Sequence, residues 1–252
     1  MKNKKNDIDI ILPNYNSDKF IKQSVESVIC QSFTKWKLYI IDDSSDNATK
    51  KILKKYERNK KIKIFWLKKN KGAAYCRNYA IQNSNSRFIA FLDSDDIWNK
   101  RKLELQIKFM KKNNYKFSYT NYKTFGKKQK LIRPKKNLNF LEFIRNTSIA
   151  TSSMILERKV TKGIRFTNTK ICEDYFYKCQ ALKKIGKAYK LDKYLLKYRI
   201  RKDSLQSNNV RNIYWIWKIN KLYNKLNFID NFLSIFFISL NSIKKYGGKN
   251  LY

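Results

Sequence analysis

Arg87-Phe88-Ile89-Ala90-Phe91-Leu92-Asp93-Ser94-Asp95-Asp96 is the stretch whose reading decides the fold. Its short aromatic and Ile-containing run, bounded by polar residues, predicts a buried strand. The run ends in three carboxylates within four positions, just past the strand's carboxyl end. Ligands of open α/β sheets bind at that end. Clustered carboxylates repel one another unless a cation or hydrogen bonds offset their charge. Hard oxygen ligands suit Mg²⁺ or Mn²⁺, ions that reach proteins through one or two carboxylates plus a substrate phosphate. Taken alone, the same acids read more readily as a turn that caps a following helix.

On the N-terminal side, Ile8 to Leu12 predicts a strand stopped at Pro13. Turn and cap residues Asn14-Tyr15-Asn16-Ser17 lead into a helix with Ile21, Val25, Val28 and Ile29 on one stripe. Leu38 to Ile41 predicts a second strand that also runs into acids, Asp42-Asp43, followed by Ser44, Ser45 and Asp46 as caps of a Lys-rich helix. Ile62 to Leu67 is a third strand, and Lys71-Gly72 opens a helix carrying Arg77 and Asn78. With Phe88 to Leu92, strand and helix alternate four times. The class is therefore α/β, with a mostly parallel central sheet flanked by helices on both faces and acids gathered along one edge.

On the C-terminal side, Leu103, Ile107 and Met110 predict a helix that packs back, with Asp96 capping its start. Phe117 to Tyr122 reads as a strand, Asn139 to Arg145 as a helix, and Thr151 to Leu156 as a strand. Glu173-Asp174 opens a helix with Tyr175, Cys179 and Leu182 at helical spacing, where acids also suit the helix dipole. Tyr189 to Ile200 reads as a strand that enters a basic loop reaching Lys202 and Ser204.

The 252 residues carry 57 basic and 19 acidic side chains, a net charge of +38, and 42% hydrophobic residues, enough for a globular core. The charge points to nucleic acid, an anionic membrane or an acidic substrate. Its lysines are scattered, which favours solvated faces over one patch. The chain has no histidine, so Ser-His and Cys-His catalysis and His-ligated zinc are excluded, and base chemistry falls to carboxylates. Cys30, Cys76, Cys172 and Cys179 have no Cys-x-x-Cys spacing and read as buried thiols of a reducing compartment. The basic N-terminus leads into a strand instead of a signal-peptide core, so the expected location is cytoplasmic.

In order and spacing, Pro13-Asn14-Tyr15-Asn16, Gln31-Ser32-Phe33, Ile41-Asp42-Asp43-Ser44-Ser45-Asp46, Asn70-Lys71-Gly72, Arg77-Asn78, Phe91 to Asp96, and Glu173-Asp174 resemble family 2 inverting glycosyltransferases of the GT-A fold. The resemblance implies a catalytic domain over residues 1–205, with nucleotide-sugar binding in about 7–122 and the acceptor side in about 123–205. It implies inverting transfer of a sugar from a nucleotide-diphosphate donor, UDP-sugar favoured, to the hydroxyl of a glycan or lipid-linked acceptor, in cell-envelope polysaccharide or lipopolysaccharide biosynthesis. It also implies a divalent cofactor, Mn²⁺ or Mg²⁺, on Asp95 and Asp93. Pro13, Tyr15, Asp43, Arg77, Asp93 and Ser94 fall at the nucleotide and donor side. Asp43 matches the base-binding acid; Asp42 reads as a cap. Asp174 matches the general base, with Glu173 orienting beside it. Arg199 and Arg201 fall in the loop that faces the phosphates. Arg201 stands where the family often has histidine.

Residues 206–252 form a basic aromatic helical tail, in which the apolar core from Phe228 to Leu240 is too short for the roughly 20 residues that span a bilayer. It suits either an interfacial helix on an anionic membrane, which would place the protein at the inner face of the plasma membrane, or packing against the core. A nucleotidyltransferase of related fold would share the acids but lack the Glu173-Asp174 helix. A basic nucleic-acid-binding protein would concentrate its lysines in a groove and gives no reason for acids at strand ends, so no nucleic-acid partner is expected.

Overall fold

The computed structural model describes residues 6–127, 129–167, 169, 171–201 and 209–246. In chain order the elements are β1 (Ile8–Asn14), α1 (Ile21–Ile29), β2 (Trp36–Asp42), α2 (Asn47–Lys54), β3 (Ile62–Trp66), α3 (Ala73–Gln82), β4 (Phe88–Phe91), β5 (Ile97–Trp98) and α4 (Lys102–Lys112). Then come β6 (Phe117–Gly126), β7 (Leu131–Ile132), β8 (Asn137–Asn139), α5 (Phe140–Ile144), β9 (Ile155–Glu157), α6 (Arg158–Thr161), α7 (Glu173–Ile185), β10 (Lys187–Ile200), α8 (Asn209–Leu222) and α9 (Phe228–Tyr246).

The strands form one sheet in the order β3-β2-β1-β4-β9-β6-β10-β5, with β7 on β6 and β8 on β10. β1 to β4 are mutually parallel, so β2 and β4 flank β1 and end at the same edge. This is the alternating architecture expected from the sequence. β9 runs antiparallel between β4 and β6, and β10 returns parallel to β6. Alternation along β1 sends Ile8, Ile10 and Leu12 into one apolar core and Ile11 into the other. α1 and α4 cover the first face; α3, α5 and α7 cover the second. Buried Asp9 sits on that second face with four donors: Asn85 N, Ser86 N, Ser86 Oγ and Arg158.

Several expectations change. Pro13 does not stop the first strand, which continues to Asn14. β4 pairing ends at Ile11↔Phe91, so the missing proline N–H lies beyond that neighbour. Thr151–Ser153 is a 3₁₀ turn, and the strand there starts only at Ile155, because its Ser and Thr side chains bond to nearby groups instead of extending. Asp96 does not cap a helix. β5 intervenes, and α4 begins only at Lys102. Cys30 is exposed; Cys76, Cys172 and Cys179 are buried, and all four are free thiols. The expected cap Asp46 on α2 is present, and Asn139, read as helical, is instead the cap of α5.

Lys102 is fully buried, with Nζ 2.8 Å from Gln106 Oε1 and 4.4 Å from the Trp98 ring centroid. Among the described residues it has no carboxylate partner, and burial pulls its ammonium down to about 7. The unfolded chain keeps that proton up to about 10.4. Between these values unfolding takes up a proton, so stability rises with pH across that window and the full penalty applies below it. Lys102→Met removes a cost of roughly 4 kcal/mol at pH 7 but leaves Gln106 Oε1 unpaired, which offsets about 1–3 kcal/mol. The expected result is a Tm several degrees higher at pH 7, with the gain shrinking by pH 10. A lower Tm at pH 7 would show that the Trp98 and Gln106 contacts outweigh the buried charge.

α8 and α9 pack on the second face. Tyr175 Oη donates to Asn220 Oδ1 at 2.7 Å, and Ser234 Oγ donates to the Ile144 carbonyl at 2.6 Å. Ile216, Ile219 and Ile238 join the core there. The tail is thus part of the packed body, although α9 leaves Phe228, Ile229, Phe232 and Phe236 exposed. Among the described residues no helix is long and apolar enough to cross a membrane. The expected boundary between residues 205 and 206, together with Lys202 and Ser204, lies outside the described residues.

Candidate active site

The acids gather because parallel β2 and β4 end together on either side of β1. Past β4, Asp93 to Asp96 make a tight turn closed by Asp96 N donating to the Asp93 carbonyl at 3.1 Å. Two contacts brace it. Ser24 Oγ of α1 donates to the Ser94 and Asp96 carbonyls, and Ser152 Oγ accepts from Asp93 N at 3.0 Å. The turn therefore holds its carboxylates in a fixed array before any ligand arrives.

Each carboxylate has its own environment. Asp93 pairs with Arg77 at 2.7 Å. Asp95 lies 3.1 Å from Arg201 Nε. Burial and the Asp93 charge raise its pKa, against the pull of Arg201. Asp96 is buried and accepts from Arg199 N at 2.9 Å. Burial first, and Asp95 second, push its pKa well above the usual carboxylate range. Asp96 thus ties the acid turn to the end of β10. Arg199 completes that tie: its Nε donates to the Asp95 carbonyl at 2.8 Å, its guanidinium reaches Gln23, and it lies over Phe20 and Phe125.

At the end of β2, Asp42 accepts from Asn14 Nδ2, which ties β1 to β2, and from Ser45 N, which closes the turn after β2. Asp43 accepts from Lys71 N and Gly72 N, both at 2.8 Å. Gly72 has φ 84° and ψ 161°, a backbone open essentially to glycine alone, and it starts α3. Pro13 is buried within β1, whereas the Tyr15 ring is 52% exposed and open to contact.

Arg77 is the junction. It is buried on α3, with Nη2 on Asp93 and Nη1 on Glu173 at 2.8 Å. Burial lowers its pKa, but Asp93 and Glu173 outweigh that and raise it. Glu173 opens α7, so Arg77 ties the acid turn to that helix. Next to it, Asp174 Oδ2 accepts from Thr151 Oγ1 and from Lys178 Nζ, each at 2.7 Å. Burial alone would raise its pKa; the ammonium and hydrogen bond of Lys178, with Thr151 and Arg77, hold it well below the usual range. Asp174 is therefore ionised at neutral pH. Among the described residues Oδ1 receives no hydrogen bond and is the atom left for a ligand. Thr151, Ser152 and Lys178 were not singled out from sequence. Only Lys178 left a signal, its i,i+4 spacing from Asp174.

The structure thus brings Asp93, Asp95, Arg77, Glu173, Asp174, Arg199 and Arg201 into one linked array, with Asp43 at its β2 side. Among the described residues no three acidic or thiol side chains converge to hold an ion unaided. Two crowded, partly buried carboxylates at Asp93 and Asp95 fit instead an ion that completes its shell with substrate oxygens.

A family model described as glycosyl transferase family 2 matches residues 9–176. A protein of Bacillus subtilis (strain 168) named as a teichuronic acid biosynthesis glycosyltransferase, TuaG, is 32% identical over 243 residues, covering 94% of this chain and 96% of its own. The Escherichia coli protein named UDP-Glc:alpha-D-GlcNAc-diphosphoundecaprenol beta-1,3-glucosyltransferase, WfgD, is 34% identical over 241 residues, covering 94% and 92%. Among solved structures, S. aureus TarS 1-349 in complex with UDP-GlcNAc superposes with a TM-score of 0.74 at 20% identity, over 94% of this chain and 72% of that one.

Proposed function

The chain belongs to glycosyltransferase family 2 and has the GT-A fold, and from that premise we propose that it transfers a sugar, with inversion, from a UDP-sugar to a hydroxyl of a lipid-diphosphate-linked acceptor in cell-envelope polysaccharide synthesis. The observation that carries the reading is the Arg77 bridge, which joins the donor-side turn through Asp93 to the acceptor-side helix through Glu173. The names of TuaG and WfgD support the envelope setting, and those of WfgD and TarS 1-349 with its ligand support UDP and a lipid diphosphate. Nucleotidyl transfer is disfavoured, because it gives Glu173 and Asp174 no task.

In this mechanism the acceptor hydroxyl approaches the anomeric carbon opposite the nucleotide. Its proton passes to Asp174 Oδ1 as the new C–O bond forms and the bond to the diphosphate oxygen breaks. Thr151 and Lys178 hold Oδ2 and fix the carboxylate's orientation. Asp43 holds the Lys71-Gly72 turn and keeps lone pairs for a base N–H. Arg201 and Arg199, beside Asp95, offset the charge of the departing diphosphate. A divalent ion, Mn²⁺ or Mg²⁺, held by Asp95 with Asp93, would supply Lewis-acid stabilisation of that charge.

Thermal shift against a panel of nucleoside diphosphates and nucleotide sugars, with Mn²⁺, with Mg²⁺ and with EDTA, tests the donor side. UDP with metal should raise Tm by a few degrees, and Asp95→Ala should abolish the metal-dependent part. Equal shifts in EDTA would remove the metal from the scheme, and no shift with any nucleotide would remove the donor assignment.

α9 supports action at a membrane surface. It turns polar Asn231 and Ser234 inward and leaves Phe228, Ile229, Phe232 and Phe236 outward, and exposed Lys221 and Lys225 precede it in the chain. An exposed apolar ridge on a strongly basic chain suits an anionic bilayer. The full chain should sediment with phosphatidylglycerol vesicles and poorly with phosphatidylcholine, and Phe232→Ser with Phe236→Ser should cut the binding several-fold. Absence of binding to anionic vesicles at low salt would refute membrane docking.

A further inference from the structure

Outside the acid array, a solvent-open cavity of about 490 Å³ is lined by Lys130, Arg133 and Lys135 around β7, by Asn146 and Ser148 after α5, and by Asn241 of α9. We propose that this cavity is the subsite that grips the diphosphate of the acceptor, a second anion site separate from the donor site. The proposal rests on the lipid-linked acceptor reading above and adds to it a place and a set of residues.

The chemistry of the wall comes first. Three cations and no carboxylate line the cavity. Arg133 pairs with Asp192 and Lys135 with Glu142, but neither acid lines the cavity and both basic side chains are more than half exposed, so the cations can turn to a stronger anion. Arginine in particular matches diphosphate oxygens with its planar fork.

Orphaned buried atoms at the same wall point to a ligand independently of the charge. Ser148 is only 1% exposed, yet among the described residues its hydroxyl has no hydrogen-bond partner. Asn146 Oδ1, on the same wall, is buried and without a partner among the described residues too. Buried polar atoms are nearly always satisfied, so two on one wall call for a further group. The Ser148 hydroxyl can donate to a phosphate oxygen, and the Asn146 side chain can present its NH₂ after an amide flip.

Position gives the anion its role. Only two residues lie between Ser148 and Thr151, which holds Asp174, so the two Cα atoms lie within roughly 10 Å of one another. A diphosphate at Ser148 would therefore place the sugar it carries next to the base. On the other side, Asn241 belongs to α9, one residue from exposed Leu240, which lies four positions after Phe236 of the ridge assigned to the bilayer. A lipid chain leaving the cavity past Leu240 meets that surface.

Calorimetric titration of the full chain in EDTA with farnesyl diphosphate, inorganic pyrophosphate and farnesol tests the subsite, with UDP plus Mn²⁺ measured in parallel. Farnesyl diphosphate should bind and farnesol should not. Ser148→Ala and Arg133→Gln should each weaken farnesyl diphosphate by about tenfold and leave UDP unchanged. Ser148→Ala should also keep or raise the Tm of the ligand-free protein, because it deletes an orphaned hydroxyl; a purely structural Ser148 would lower it. Pyrophosphate binding as tightly as farnesyl diphosphate supports the anion site and assigns it to the phosphates alone, whereas tighter farnesyl diphosphate adds the lipid. Farnesyl diphosphate binding that is absent, or equal in parent and both variants, overturns the subsite even while UDP still binds. Failure of UDP with the farnesyl diphosphate response intact overturns the donor assignment and upholds the subsite.

Discussion

Asp174→Asn is expected to lose sugar transfer by about 10²–10⁴-fold while UDP binding persists. The reason is local. Thr151 and Lys178 both bond to Oδ2, so the carboxylate is clamped and ionised, and the substitution removes the proton acceptor without moving the clamp. It also removes the counter-charge of Lys178, whose side chain is 5% exposed. Stripping one partner from a buried ion pair costs about 3–5 kcal/mol, so a loss of stability is expected in the same variant. The two effects separate in Asp174→Asn with Lys178→Met. The second change takes away the unpaired ammonium and should recover most of the Tm, while transfer stays lost. If the double variant recovers transfer together with stability, Asp174 serves folding and the base lies elsewhere. Transfer retained in the single variant would have the same consequence.

What was legible in the sequence follows from which contacts are local. Strands β1 to β4 announced themselves because each is a short apolar run ended by turn chemistry, and four alternations with helices leave few topologies. The acids at Asp42-Asp43 and Asp93 to Asp96 were readable for the same reason: parallel strands put their carboxyl ends together. The Asp96 assignment failed because a two-residue strand, β5, carries almost no periodic signal, and its partner Leu196–Lys197 lies about a hundred positions away. Thr151 and Ser152 were missed because only tertiary packing of the 3₁₀ turn brings them under Asp174 and Asp93. The tail sequence suits either a membrane surface or packing. Its helices pack through Asn220, Ser234 and Ile238 and leave the phenylalanines of α9 outward, a division of faces that hydropathy alone could not orient because the buried face is the more polar one.

Arg77→Met is expected to be the most destabilising single change in the site and to disable it as well. The guanidinium is 7% exposed and holds two carboxylates from distant parts of the chain, Asp93 after β4 and Glu173 at the start of α7. Its loss leaves both acids partly buried, facing each other without a cation between them. Breaking one such pair costs about 3–5 kcal/mol. For a chain of this size each kcal/mol shifts Tm by roughly 2–4 °C, so a fall on the order of 10 °C is expected at pH 7. Arg77→Lys should recover little, since a single ammonium cannot match the forked geometry that reaches Asp93 and Glu173 from separate nitrogens. Glu173→Gln added to Arg77→Met removes one of the two repelling charges and should restore part of the Tm. The catalytic outcome distinguishes a brace from a simple staple. If Arg77 sets the spacing between donor turn and α7, the stabilised double variant still binds UDP but transfers sugar poorly, because Asp174 is no longer fixed relative to Asp93. Recovery of transfer in step with Tm would show that the bridge contributes stability alone.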